Sequence, residues 1–297
     1  MLSILIPTYN YLIVELVNRV HKQAITATIP FEIIIIDDCS TNKDIINANK
    51  IINGLEFCTY IQNDNNLGRT ASRNILAIKA KYNLLLFLDA DVLPKYNDFI
   101  NRFELSINTN PKVIFGGVCY NKEKPKPDQL LRWKYGHHRE TKSVEDRLQN
   151  PYTIVSSSLL IDKEVFFENN TLNSNTYGLD ILFSGNLSMN NVKVKHIDNP
   201  VFHLGLESNN TFLKKSLEAV KSSYLLEKNN QIKKDLRPLQ KSYLLLNKWK
   251  VDGIFCDFFK LLKKPIKSNL LSNNPSMFLF DLYRLQYFIE LKNKKHV

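Results

Sequence analysis

Nowhere in the 297 residues does the chain hold the roughly 18 uninterrupted apolar residues that a membrane-spanning helix requires. Cysteine is sparse as well: Cys39, Cys58, Cys119 and Cys256 are scattered and form no CxxC pair. That argues against a disulfide frame or a thiolate zinc site and for reduced thiols in a cytosolic protein. The opening Met1-Leu2-Ser3-Ile4-Leu5-Ile6-Pro7 has neither a basic segment nor a cleavage site, so no secretory signal is expected. Sequons at Asn169, Asn186 and Asn209 then read as chance in an Asn-rich chain. There is no internal repeat, no nucleic-acid motif, and no early Gly-rich loop of the kind that would suggest a nucleotidyltransferase.

What is present is ordinary in bulk and uneven in detail. Hydrophobic content of 44% and charged content of 23% suit a globular protein, with length for one large α/β domain and a smaller appendage. The net charge is +11, and all of it falls in residues 211–297, which hold 18 Lys+Arg against 7 Asp+Glu. Residues 1–210 carry 22 of each sign. The expected organisation is therefore a neutral domain over 1–210 and a basic helical extension over 211–297.

Strands are expected at 3–7, 31–36, 57–62, 84–88, 112–120, 153–161 and 192–197, from apolar and β-branched runs. Helical periodicity covers about 12–27, 70–81, 98–107 and 163–167. The alternation predicts an α/β fold with a mixed, mostly parallel sheet flanked by helices and right-handed crossovers. Residues 121–149 read as a long charged loop with a helical piece. Beyond 211 the pattern is helical, with breaks expected near Pro238, Pro265 and Pro275.

Polar clusters follow three of these strands: Thr8-Tyr9-Asn10, Asp37-Asp38-Cys39-Ser40 and Asp89-Ala90-Asp91. In a parallel sheet such strand ends share one edge, where ligands bind. Two carboxylates one residue apart, leaving the buried run Leu84–Leu88, suit a hard divalent cation that bridges a phosphate. A capped strand end is the plainer alternative for that pair. Gly68, just before a predicted helix, permits close approach of backbone to a phosphate. Arg69 and Arg73 are spaced i, i+4 on one helix face and suit an anion.

The segments SILIPTYN, IIIIDDCS, NNLGRTASRN and LLLFLDADVLP, in this order, resemble the inverting family 2 glycosyltransferases of GT-A (Rossmann-like) fold. TYGLDILF and NPVFHLGLESN are similar to later motifs of a bacterial surface-polysaccharide branch. The resemblance covers roughly 1–210. It implies an enzyme that uses a nucleotide sugar, expected to be a UDP-sugar, with Mn²⁺ or Mg²⁺. Thr8, Asn10, Asp37, Asp38, Gly68, Arg69 and Arg73 then match nucleotide-facing positions. Asp89 and Asp91 match the DxD, the second carboxylate ligating the metal and the first approaching ribose or sugar. His203 matches a histidine that completes the metal site. Asp180 matches the catalytic base, although one acidic residue stands where relatives have two, and a gapless alignment places it at the first of them. Trp133 and Tyr135, among basic residues, suit sugar stacking and phosphate contact, against a plain role as anchoring aromatics. Ser157, within Ser156-Ser157-Ser158, falls near the expected donor sugar.

The resemblance implies transfer of a hexosyl or N-acetylhexosaminyl group to a glycan or lipid-linked acceptor in polysaccharide or lipopolysaccharide biosynthesis. The competing reading is a non-catalytic GT-A-like domain that binds nucleotide or glycan, or scaffolds a partner. The basic extension interleaves Ile254, Phe255, Phe258, Phe259, Leu261 and Leu262 with Lys250, Lys260, Lys263, Lys264 and Lys267. That pattern fits either a peripheral contact with an anionic membrane, at the inner face of the cytoplasmic membrane, or helices packed on the catalytic domain or in a homodimer. Nucleic acid is not an expected partner.

Overall fold

A computed structural model describes residues 1–109, 111–171 and 180–293. The chain divides into two compact units, one of Met1–Tyr120, Glu140–Asn175 and Asn186–Gly205, the other of Asn121–Arg139, Thr176–Gly185 and Leu206–Val297. The segment read as a charged loop thus contributes residues 121–139 to the unit that also holds the C-terminal helices.

The first unit is built on β1 (Leu2–Thr8), β2 (Phe31–Asp37), β3 (Cys58–Gln62), β4 (Leu84–Leu88), β5 (Val92–Pro94), β6 (Val113–Phe115), β7 (Val118–Cys119), β8 (Ser158–Asp162), β9 (Val194–His196) and β10 (Val201–His203). Seven strands form the main sheet in the order β3-β2-β1-β4-β8-β6-β9. Pairing is parallel from β3 to β4, antiparallel on both sides of β8, and parallel again between β6 and β9. Central strands read as unbroken apolar runs because both faces are covered: Ile4, Leu5 and Ile6 of β1 and Leu85 to Leu88 of β4 are fully buried. Helices α1 (Val14–Ile25), α2 (Lys43–Lys50), α3 (Arg69–Lys79) and α4 (Phe99–Ile107) connect these strands. The order reverses at β1, whose neighbours are β2 and β4, so the chain leaves β1 and β4 beside a topological switch point.

The strand expected over 112–120 is two strands in two sheets. Between them Gly117 takes φ +102, and a Cβ on Gly116 would stand 2.4 Å from the carbonyl oxygen of Asn199. Only glycine allows that turn and that approach. Past it, β7 enters a small sheet of order β5-β10-β7, which the sequence reading did not anticipate. The strand expected over 153–161 begins only at Ser158. α6 (Val144–Leu148) and α7 (Lys163–Asn169) complete the helices of this unit, and Arg147 of α6 donates to the carbonyls of Phe115 and Ile197 at 3.2 and 2.9 Å.

In the second unit, α5 (Leu130–Tyr135), α9 (Asn209–Lys228), α11 (Asp252–Leu270) and α12 (Met277–Asn293) enclose a core of Leu131, Phe212, Phe259, Leu270 and Phe280, while α10 (Pro238–Lys248) packs Leu239 and Tyr243 against Leu285, Phe288 and Ile289. α8 (Asp180–Met189) begins in this unit and ends in the first. Pro238 opens α10 and Pro275 lies between α11 and α12, but Pro265 sits inside α11 instead of ending it. Its position is exposed, so water can satisfy the carbonyl that the missing N–H leaves open. All four cysteines are free. The sequon residues Asn169, Asn186 and Asn209 are buried and their amides are spent on internal hydrogen bonds, which leaves no room for a glycan.

Phe87 is fully buried in β4 with its ring 4.8 Å from that of Phe166. Phe87→Ala is expected to cost about 3–5 kcal/mol through lost burial and a cavity. Urea unfolding reports it as a lowered midpoint, and an unchanged midpoint would show that the site collapses without penalty.

Candidate active site

The carboxyl edge of the main sheet is knitted by side chains from the loops that leave it. Asp38 stands at the centre. Its backbone N–H donates to Thr8 O at 2.8 Å, and its carboxylate accepts from Asn63 Nδ2 at 3.0 Å, Leu67 N at 2.9 Å and Gly68 N at 2.7 Å. Gly68 has φ 87 and caps α3, so the anion at the start of this helix is the chain's own carboxylate. Asp37 is also turned inward: it accepts from Ser40 N at 2.8 Å and from the Tyr60 hydroxyl. Burial and that carboxylate together raise the Tyr60 pKa. Asn10, at φ 48, accepts from the N–H groups of Thr41 and Asn42 at 2.9 and 3.1 Å, and its own N–H donates to Ser40 Oγ at 2.7 Å. Thr8 is buried and its hydroxyl donates to Tyr11 O at 3.3 Å.

α3 runs back from Gly68 so that its first turn faces the end of β4. Arg69 donates to Asp89 Oδ2 at 2.7 Å and Arg73 to Asp89 Oδ1 at 2.5 Å. Both oxygens of Asp89 are thereby engaged. Burial opposes its negative charge, yet Arg69, Arg73 and His203 outweigh that and hold the carboxyl below the usual carboxylate range.

Asp91 is placed by the small sheet. It precedes β5, where Val92 lies opposite His203 of β10, and Leu204 N donates to Asp91 O at 2.8 Å. His203 Nε2 and Asp91 Oδ2 stand 3.4 Å apart. The imidazole is flanked by the Tyr120 ring at 5.4 Å. A Cβ on Gly205 would fall 1.9 Å from Asp91 Oδ2, so this carboxylate requires glycine there. Tyr11 adds a phenol whose pKa is raised by burial and then by the charges of Asp91 and Glu15.

Among the described residues no group of three His, Cys, Asp or Glu side chains is arranged to hold a metal. A site of Asp91 and His203 alone still fits a Mg²⁺- or Mn²⁺-type ion, because such ions take one or two protein ligands and complete their shell with water and substrate phosphate.

The remaining sequence-based candidates are spread over the two units. Ser157 is buried in the first, and its hydroxyl has no hydrogen-bond partner among the described residues. In the second, Tyr135 packs on Phe212 and Phe280 within the helical core, and Trp133 donates to Asn121 O at 2.9 Å with its ring on His137. Asp180 is the first residue of α8 and half-buried. Burial holds the Arg237 guanidinium below its usual pKa, against the opposing influence of Tyr135 and Asp180. Tyr177, Gly178 and Leu179 of the TYGLDILF motif lie outside the described residues. Sequence reasoning missed Tyr11, Thr41, Tyr60, Tyr120 and Gly205 as parts of the site, and named Ser40 only within a polar cluster. Ser40 and Gly205 stood inside the quoted motifs, but their roles are contacts with residues far along the chain.

Residues 3–166 match the family model of glycosyl transferase family 2. The poly(ribitol-phosphate) beta-N-acetylglucosaminyltransferase TarS of Staphylococcus aureus is 33% identical over 102 residues, 34% of this chain and 17% of that protein. An uncharacterized glycosyltransferase of Haemophilus influenzae is 35% identical over 91 residues, 31% of this chain and 29% of the relative. The aligned stretches thus span less than a third of either relative. In three dimensions, S. aureus TarS 1–349 in complex with UDP-GlcNAc superposes with a TM-score of 0.51 at 17% identity, over 99% of this chain and 90% of that one. The fold is the mixed α/β GT-A fold.

Asp89 supplies a pH prediction. A carboxyl with a lowered folded-state pKa stabilises the fold above its unfolded value, near 4, and that contribution is lost as pH falls through the lower folded value. Asp89→Asn is expected to lower Tm at neutral pH and to flatten the decline of Tm below about pH 4. Calorimetry between neutral and acid pH measures both. An identical acid decline in the variant would assign the loss to other carboxylates.

Proposed function

The chain belongs to glycosyl transferase family 2, and on that premise we propose that it is an inverting, divalent-cation-dependent transferase. It moves a sugar from a UDP-sugar to a hydroxyl of a glycan or lipid-linked acceptor of a bacterial surface polysaccharide. The observation that carries this reading is the Asp91–His203 pair, 3.4 Å apart beside an Asp89 that two arginines already neutralise. Asp89 is occupied by protein cations while Asp91 and His203 present one oxygen and one nitrogen to the same place, which suits a cation shared with a diphosphate. TarS, solved with UDP-GlcNAc, makes that nucleotide sugar the first donor to test.

Asp91 and His203 would hold the ion, and its positive charge would make the diphosphate a better leaving group. Arg69 and Arg73 hold Asp89 in place, so the two carboxylates of the DxD do not compete for one role. The loop clamp of Asn10, Asp38 and Gly68 fixes the edge on which the nucleotide lies. Asp180 accepts the acceptor proton as the acceptor oxygen attacks the anomeric carbon opposite the departing UDP. One C–O bond forms, the bond to diphosphate breaks, and the configuration inverts without a covalent intermediate. General-base help of this kind contributes on the order of 10²–10⁴ in rate.

Two measurements test the reading. Thermal denaturation with UDP and UDP-GlcNAc is expected to show a rise in Tm that grows with Mn²⁺, since a ligand that binds only the folded state stabilises it by mass action. His203→Ala keeps a metal-free shift and loses the Mn²⁺ increment. No shift with any nucleotide, with or without metal, would overturn the donor assignment. In the second, Asp180→Asn abolishes sugar transfer while the UDP-induced shift persists. Equal loss of both would remove Asp180 from the role of base.

A further inference from the structure

α11 has two apolar faces. Cys256, Phe259, Ile266 and Leu270 are buried in the core of the second unit. On the other side Ile254, Phe258, Leu261 and Pro265 follow at i, i+4, i+7 and i+11, one stripe of a helix, and all are exposed. Ile254 is 72% exposed, Phe258 62% and Leu261 80%, values out of keeping with hydrophobic side chains that have found their partner. Phe278 of α12, 69% exposed, and Leu262 extend the stripe into a groove of about 460 Å³ lined only by apolar side chains.

Charge tells which partner this face suits. Lys260, Lys264 and Lys267 flank the stripe on one side of the helix, and all are exposed. Lys260 neutralises Asp257, beside the stripe on α11, at 2.8 Å, and Arg139 pairs with Asp281, three residues after Phe278. Lys264 and Lys267 make no ion pair among the described residues. A second copy pressed on this face would bring two lysine-flanked surfaces together, and lysine is disfavoured at the core of protein interfaces. Among the described residues no helix is long and apolar enough to cross a membrane, so α11 is not a span. An apolar stripe bordered by lysines is what lies in the headgroup boundary of an anionic bilayer.

We propose that the Ile254–Phe258–Leu261–Pro265 face of α11, with Phe278, is a docking surface for an anionic lipid bilayer, its side chains entering the headgroup boundary while Lys260, Lys264 and Lys267 meet lipid phosphates. It rests on the reading of a glycan-building enzyme only for its purpose, because lipid binding is measured without donor or acceptor.

The test is cosedimentation of the full chain with vesicles of phosphatidylcholine alone and with about a third phosphatidylglycerol. Binding is expected on the anionic vesicles, weaker on neutral ones, and reduced at about 0.5 M salt, where screening is short-ranged. K264Q/K267Q is expected to bind at least tenfold less tightly, given roughly fivefold per lysine near such a surface. F258S/L261S loses binding, and because both side chains are exposed it keeps its Tm and its UDP response. Equal vesicle binding by F258S/L261S and the parent chain would overturn the assignment. So would a dimer in sedimentation analysis that F258S/L261S dissolves, since a second copy would then cover the face. A failed nucleotide response with intact vesicle binding would instead count against the donor site.

Discussion

The burial of Asp38 is the constraint from which the site follows. A carboxylate taken out of water must have its oxygens satisfied or the fold loses several kcal/mol. Here the satisfaction comes from the 63–68 loop: Asn63, Leu67 and Gly68 all donate to it, and its own N–H is bound to Thr8. That set of bonds fixes where α3 begins. Once α3 begins there, Arg69 and Arg73 can only face the end of β4, where Asp89 meets them. The loops that leave β1, β2, β3 and β4 are thus tied to one another by charges and amides.

The two carboxylates of Asp89-Ala90-Asp91 belong to different local environments. Asp89 ends a strand of the main sheet and faces α3. Asp91, two residues later, stands at the entry to the small sheet and faces His203. A backbone hydrogen bond from Leu204 and the missing side chain of Gly205 let the two chain segments approach closely enough for that pair to form. The donor chemistry proposed for this chain follows from that division: one carboxylate anchored by arginine, the other left to share a cation with phosphate.

The second unit carries a different kind of surplus. Its core is closed by Phe212, Phe259 and Phe280, with Phe212 and Phe280 stacked at 5.7 Å. That core consumes one face of α11 and leaves a second, equally apolar face in water. Globular packing has no use for two such faces on an outer helix. Tyr135 shows the opposite case, an aromatic that reads as a sugar platform in the sequence and is packed against the rings of that core.

Local chemistry was legible in the one-dimensional string. Alternation of apolar runs with helical periods placed β1 to β4, α1, α3 and α4 to within a few residues, because β1, β2 and β4 are buried on both faces, the edge strand β3 keeps an apolar centre at Tyr60, and each helix is buried on one face. The motif order placed Asp89, Asp91, Gly68 and Arg73 on one sheet edge for the same reason. Tertiary structure alone decided the rest. A strand expected over 112–120 divides because Gly116 must clear the Asn199 carbonyl, a contact across more than eighty residues that no local pattern records. β8 runs antiparallel between β4 and β6, and strand direction leaves no mark on composition. Asp37 and Asp38 look alike in sequence, yet one is spent on Tyr60 and the other on the start of α3. Residue type sets what a group is able to bind; the partner it reaches depends on backbone geometry summed over distant segments, and that sum exists only in the folded chain.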